Sequence, residues 1–231
     1  MSSSRPYCPS ARRSFAPLIL LAALAAPAAG QIRVASWNTL RGPTSSYDSN
    51  FRQIFTTMAA EDVGGIAKRV DLVCVQEVHP STPNHQYIAD MLNDLFGVSS
   101  YQAVANNGTT YERYAYVYDS STLTKVTDYE LYGGTRPHYY AKFLPVGYGG
   151  SDAELHAYTV HLKAGTSSAS QRTYEAGLLR SYGDSLGEGA HILYSGDFNV
   201  YGPTEGAYTT MLSSGDGQAL DPVTFRTWDK S

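Results

Sequence analysis

Five polar residues sit where short apolar runs come to an end. Val34-Ala35-Ser36-Trp37 stops at Asn38, and Val73-Cys74-Val75-Gln76 stops at Glu77. Tyr158-Thr159-Val160 stops at His161, and Ile192-Leu193-Tyr194-Ser195-Gly196 stops at Asp197, with Asn199 two residues on. Strands that deliver carboxylate, amide and imidazole groups to one rim of a sheet build a site on rigid elements. Hard oxygen donors of this kind suit Mg²⁺ or Mn²⁺ rather than Zn²⁺. An imidazole that titrates near neutral pH suits proton transfer. Each residue taken singly has a plainer reading. Asn or Asp at a strand end is commonly a turn residue, Glu there a solvated one, and His in a strand a satisfied structural group. Other chemistries find little footing. There is no Gly-x-Ser-x-Gly elbow and no Gly-Lys-Ser/Thr loop. Two cysteines exclude a four-cysteine zinc site and a disulfide-rich scaffold.

The elements that must carry these groups follow from the apolar spacing. Ile32–Trp37 and Leu72–Gln76 read as buried strands. Phe51, Ile54, Phe55 and Met58 recur at helical spacing, and Ile66 and Val70 are expected to continue that face beyond Gly64-Gly65. Tyr87, Met91, Leu92 and Leu95 predict a helix ending at Gly97. The period then changes to two. Tyr101–Ala105, Tyr114–Tyr118, Leu123–Leu131, Tyr139–Val146 and Leu155–Leu162 read as strands. Asn107-Gly108 is favoured as a hairpin turn over a glycosylation sequon. Ser168-Ala169-Ser170-Gln171 has the form of a capping box, and behind it Tyr174, Leu178, Tyr182 and Leu186 recur every four residues along an amphipathic helix. His191–Ser195 is a further strand, Gly202–Met211 a loop with a short helix, and Asp216–Ser231 shows no clear element. Strands mixed with helices, and no linker between them, predict a single layered α/β or α+β domain.

The first thirty residues read as an address. Arg5, Arg12 and Arg13 precede an uncharged apolar run, Phe15 to Ala29, that closes in Ala28-Ala29-Gly30. The run of about 15 residues is short for a hydrocarbon core of roughly 30 Å. A cleaved secretory signal over residues 1–30 is therefore expected rather than a membrane anchor, giving a secreted or periplasmic protein. Cys8 lies before the run, which disfavours a lipoprotein. The whole chain of 231 residues has a formal net charge of −4, and every acidic residue lies beyond Gly30, so the mature part is the more acidic. A protein of that charge does not bind nucleic acid by counterion release alone; a bound metal must offset the repulsion of any phosphate it handles. Within 31–231 the one cysteine is Cys74, in an apolar run, expected to be a buried and inert thiol.

Four local sequences carry a resemblance. Ser36-Trp37-Asn38, Val75-Gln76-Glu77-Val78, Tyr158-Thr159-Val160-His161-Leu162-Lys163-Ala164 and Ser195-Gly196-Asp197-Phe198-Asn199 occur in this order. Together they resemble the endonuclease/exonuclease/phosphatase superfamily, which includes pancreatic-type deoxyribonucleases, abasic-site nucleases and bacterial sphingomyelinases. Glu112-Arg113-Tyr114, and Arg136 shortly before Lys142-Phe143, are similar to the pancreatic deoxyribonuclease branch.

The resemblance implies a four-layer αββα sandwich of two mixed β-sheets flanked by helices, with the site where the sheets open. It implies roles as well. Glu77 binds a divalent metal (Mg²⁺, or Mn²⁺ or Ca²⁺) with Asn38 beside it. Asn199 and Arg136 hold phosphate oxygens, and Asp197 aligns water or a second metal position. His161 gives a proton to the leaving oxygen, with Glu112 orienting its imidazole and raising its pKa. Two departures stand out. Where the pancreatic branch has a minor-groove arginine two residues after the metal glutamate, this chain has His79. The family's closing strand carries an Asp-His pair, and no Asp-His dipeptide occurs here. Residues 31–231 are accordingly expected to be a domain lacking its last strands. The leading expectation is a secreted metal-dependent phosphodiesterase, a nuclease acting on DNA or RNA. A phospholipid phosphodiesterase or phosphomonoesterase of the same superfamily is the second reading. A binding module without turnover is the third.

Overall fold

Strand β4 (Leu72–Val78) is buried along nearly its whole length, as a continuous apolar run with covered faces should be. The computed structural model describes residues 31–40, 42, 48–79, 84–106 and 113–222. The expectations for residues 1–30, for Asn107-Gly108 and for Glu112 fall outside the described residues.

β4 pairs parallel with β1 (Val34–Asn38) and antiparallel with β6 (Arg113–Asp119), which in turn pairs with β5 (Tyr101–Ala105). The order of this first sheet is β1-β4-β6-β5. The second sheet runs β10-β9-β8-β7, from β7 (Leu123–Leu131), β8 (His138–Pro145), β9 (Leu155–His161) and β10 (His191–Asp197). It repeats the pattern of the first, with a parallel β9/β10 pair at one edge and antiparallel pairing elsewhere. A parallel pair needs a long crossover. Helix α1 (Asp48–Ala60) lies in the β1–β4 connection and α3 (Ala169–Asp184) in the β9–β10 connection. Helices α2 (Asn84–Phe96) and α4 (Gly206–Leu212) complete the set.

The strand period of two sorts side chains into layers. From the first sheet, Val73, Val75, Ala115 and Val117 pack with Phe51 and Phe55 of α1 and Ile88 and Leu92 of α2. Their neighbours Leu72, Cys74, Tyr114 and Tyr116 face Tyr139, Ala141, Phe143 and Ala157 of the second sheet. Tyr140, Tyr158 and Val160 point the other way, onto Ala176 and Leu179 of α3 and Ala207 and Met211 of α4. The result is the expected four-layer αββα sandwich of two mixed sheets. The inter-sheet layer is aromatic yet contains polar ties. Tyr116 Oη lies 2.8 Å from the carbonyl oxygens of both Tyr139 and Ala157, and Gln76 Nε2 donates to Thr159 Oγ1 at 2.7 Å. Burial in this layer pushes the Cys74 thiol up to about 12.

Three local expectations are corrected. Gly64 and Gly65 take positive φ (64° and 83°) and turn a small hairpin, β2 (Asp62–Val63) with β3 (Ile66–Ala67), so the α1 face does not continue. Ser168 precedes α3 but makes no side-chain cap bond, so no capping box forms. The buried face of α3 consists of Arg172, Glu175, Ala176, Leu179, Arg180 and Gly183, while Tyr174 stands 55% exposed. The tyrosine–leucine period identifies the helix but not the face it buries.

Two outcomes follow. A Cβ at Gly196 (φ 128°) would stand 2.1 Å from Val160 O on the paired strand. Gly196→Ala should therefore lower stability by about 2 kcal/mol or more, read as a drop in urea midpoint, whereas Ala at exposed Thr124 should be near neutral. Burial holds His85, His138 and His156 below the usual histidine range. A histidine harder to protonate when folded stabilises fully above about pH 6.5 and progressively less as pH falls through its folded pKa. Stability should thus decline below about pH 6.5, and His138→Gln should flatten that decline in a pH series of denaturation curves.

Candidate active site

Both parallel pairs end at one rim. Asn38 lies level with Gln76 across β1/β4, and Asp197 lies level with His161 across β10/β9. Strands β4 and β1 touch β10, and β4 touches β9, so the four strand ends from the two sheets meet.

Delivering Glu77 to that meeting point requires a break in alternation. In a regular strand Gln76 faces the second sheet and Glu77 faces the helices. Here the β4/β6 register slips between Val75 and Val78, and Glu77 adopts φ 56°. Gln76 keeps its inter-sheet bond, Val78 returns to the helix-side core, and Glu77 turns to the site. Thr39 anchors the bulge from β1. Its N–H donates to Gln76 O at 3.0 Å, and its hydroxyl lies 3.0 Å from Gln76 O and 3.3 Å from Glu77 O. Among the described residues the non-glycine positions with positive φ are Leu40, Glu77 and Asn199, at 46°, 56° and 50°. All three belong to this rim. Such conformations cost on the order of 1–3 kcal/mol each and gather where function requires them.

The groups then interlock. Asn38 Nδ2 donates to Glu77 Oε1 at 2.9 Å and to Asp197 Oδ2 at 3.1 Å. Its Oδ1 accepts the Leu40 N–H at 3.0 Å, which sets the amide's orientation. The His161 ring lies between the same carboxylates, Nδ1 3.8 Å from Glu77 Oε1 and Nε2 3.7 Å from Asp197 Oδ2. Asp197 Oδ1 accepts the Asn199 N–H at 3.0 Å, and Asn199 Nδ2 donates to Leu162 O at 3.0 Å. Arg136 Nη1 donates to the carbonyls of His161 (3.2 Å) and Leu162 (2.8 Å).

Burial is the main influence on the imidazole, and it lowers the His161 pKa; the Arg136 cation adds to the lowering, while Asp197, Glu77 and Glu175 oppose it. The net direction from the described residues is downward. Burial likewise lowers Arg136, against the pull of Glu175, Glu77 and Asp197.

The structure thus brings together Asn38, Glu77, His161, Asp197, Asn199 and Arg136. Sequence reasoning passes over Thr39, which lacks a chemistry of its own, and over Gln76, whose only signal is an amide inside an apolar run. Among the described residues no three His, Cys, Asp or Glu side chains converge into a ready-made metal cluster. The donor chemistry nevertheless fits a hard divalent cation: Glu77 and Asp197 bring carboxylate oxygens to one point and keep 16% and 34% of their side chains exposed on the open side. A cavity of about 430 Å³ opens beside Asp197 and Asn199, walled by Tyr194, Tyr208, Met211 and Leu220.

No curated protein sequence matches the chain significantly. Solved structures do. The human Nocturnin catalytic domain with bound sulfate aligns with a TM-score of 0.56 and 18% identity, over 84% of this chain and 78% of that one. A mannosyl-6-phosphatase of Bacteroides thetaiotaomicron aligns with a TM-score of 0.53 and 17% identity, over 78% and 69%. Humanized D. rerio TDP2 aligns with a TM-score of 0.52 and 16% identity, over 75% of this chain but only 64% of that chain. At these identities the likeness establishes the shared fold. The sequence profile of the Endonuclease/Exonuclease/phosphatase family adds what the fold cannot, running from residue 35 inside β1 to residue 221 at the cavity wall, and the chain belongs to that family.

Proposed function

We propose that this protein is an exported, divalent-metal-dependent phosphodiesterase whose substrate is nucleic acid. The observation that carries the proposal is the meeting of Asn38, Glu77, His161 and Asp197, drawn from the ends of four strands in two sheets and linked within 3.8 Å. A turn or a surface ion pair does not need three strained backbones to form it.

Hydrolysis of a phosphodiester needs a nucleophilic water, neutralisation of the phosphoryl oxygens and a proton for the departing alkoxide. Glu77 would hold a divalent cation, which when bound would supply Lewis acidity at the phosphoryl oxygen. Asn38, locked by the Leu40 N–H, keeps the Glu77 and Asp197 carboxylates in register. Asp197 accepts a proton from, and so aligns, the attacking water. Asn199 and Arg136, which donate to the backbone carbonyls of Leu162 and of His161 and Leu162, are proposed to hold phosphoryl oxygens. His161 protonates the leaving oxygen. Its lowered pKa reduces the population of imidazolium but makes each one the stronger acid toward an alkoxide. Glu112 is proposed to orient the imidazole, a role carried over from the family resemblance.

A second reading, a phosphomonoesterase, draws on the mannosyl-6-phosphatase among the structural neighbours. Plasmid DNA, RNA and a hexose 6-phosphate assayed side by side decide between the two. Glu77→Gln and His161→Ala should each reduce cleavage by about 100-fold or more, and undiminished cleavage by either would overturn the assigned roles. EDTA should abolish turnover, and Mg²⁺ or Mn²⁺ should restore it. Metal or DNA binding with no turnover on any substrate would indicate a binding module instead. For export, the secreted protein should begin at Gln31 on N-terminal sequencing, and a mature protein that retains Arg12 and Arg13 would refute the proposed cleavage.

A further inference from the structure

Of the charged side chains that helix α3 buries, Arg172 (0% exposed) and Glu175 (1%) are the most completely covered. Burying charge is costly unless every hydrogen-bonding site is met, and apolar residues commonly serve stability as well or better. These two direct several of their bonds to backbone groups beside His161 and Arg136.

Glu175 Oε2 accepts the Lys163 N–H at 2.9 Å, and Arg172 Nη1 donates to Lys163 O at 2.9 Å. One peptide segment, two residues past His161, is thus gripped on both sides. Arg172 Nη1 also donates to Gly165 O at 2.7 Å. Glu175 Oε1 accepts the Thr135 N–H at 2.9 Å, fixing the residue before Arg136. The far side of Arg172 forms a two-pronged pair with Glu205 at 2.6 and 2.9 Å. Glu205 Oε2 in turn accepts the Tyr201 N–H at 3.2 Å, on the segment after Asn199. Tyr201 closes the circuit: its ring lies 4.9 Å from the Arg172 guanidinium, and its hydroxyl accepts the Gly165 N–H at 3.3 Å.

We infer that Arg172 and Glu175 are positioning residues, clamping the segments that carry His161, Arg136 and Asn199 into one catalytic geometry. The inference rests on the reading of His161 as proton donor. Displacement by about 1 Å of a catalytic group can cost on the order of 100-fold in rate. A structural role alone would lower all activity in proportion to the folded fraction. A positioning role has a sharper signature. Loss of proton donation matters most when the leaving group is a poor one.

The test compares wild type with Glu175→Gln and Arg172→Lys, both metal-loaded, on a dinucleotide and on a p-nitrophenyl phosphodiester. The expected result is a kcat loss of about 10- to 100-fold on the dinucleotide, with KM within about threefold and a loss below about threefold on the nitrophenyl ester. Amide exchange supplies a readout independent of turnover. In Glu175→Gln the Thr135 and Lys163 amides should exchange about tenfold faster or more, while Val73 and Val75 in β4 stay protected. Equal losses on both esters that track thermal stability, or unchanged exchange at Thr135 and Lys163, would overturn the clamp. Should Glu175→Gln fail to fold, Glu205→Gln at the more accessible end of the circuit should show the same leaving-group split. A wild-type chain inactive on both esters would overturn the reading of the site itself, and the exchange comparison would then decide separately whether the clamp holds the segment.

Discussion

Parallel pairing at one edge of each sheet is the constraint on which the rest depends. Parallel neighbours finish at the same rim, which antiparallel neighbours cannot do. β1 with β4, and β9 with β10, therefore place Asn38, Glu77, His161 and Asp197 at two adjoining rims, and packing the sheets face to face merges these into one. The crossover helices are the obligatory price of the parallel pairs. They do more than connect: α1 and α3 cover the outer sheet faces and close the helix-side cores.

Convergence alone does not aim the side chains. β4 must supply Gln76 to the inter-sheet layer and Glu77 to the site in succession, and a regular strand would turn them to opposite faces. The slip against β6, with left-handed backbone at Glu77, resolves the conflict at a local conformational cost. Backbone bonds from Thr39 offset that cost, and the bond from Gln76 to Thr159 keeps the two sheets in register beside the site. The site is stiff because the strain has no adjacent place to relax. The strand on one side of the bulge is buried from Tyr114 onward, and the strand on the other is tied to Glu77 through Asn38.

The sandwich was legible because its signals are short and dense. The strands Tyr101–Ala105 and Leu123–Leu131 have the bounds their apolar spacing predicts, and β10 extends past the apolar run to include the polar Asp197. Asn38, Glu77, His161 and Asp197 were legible because each terminates an apolar run, whereas Arg136 was legible only through the family resemblance. What escaped is instructive. Apolar spacing in α3 picks out Tyr174, Leu178, Tyr182 and Leu186, yet the helix turns Arg172 and Glu175 inward. No hydrophobicity pattern anticipates a helix that is anchored by reading backbone. The left-handed backbone at Leu40, Glu77 and Asn199 was equally invisible, since none is a glycine. Gly64-Gly65 shows the reverse: a glycine pair that reads as an interruption within a helical face is the turn of a hairpin.

The buried thiol of Cys74 has a separate consequence. With its pKa near 12 and no exposed surface, it stays protonated and out of reach of oxidants while the two sheets remain together. A thiol-modifying reagent can meet it only after the aromatic layer between the sheets has parted. The side chain is thus an internal clock for the opening of the sandwich: its alkylation rate in the native protein reports how often the two sheets separate around it.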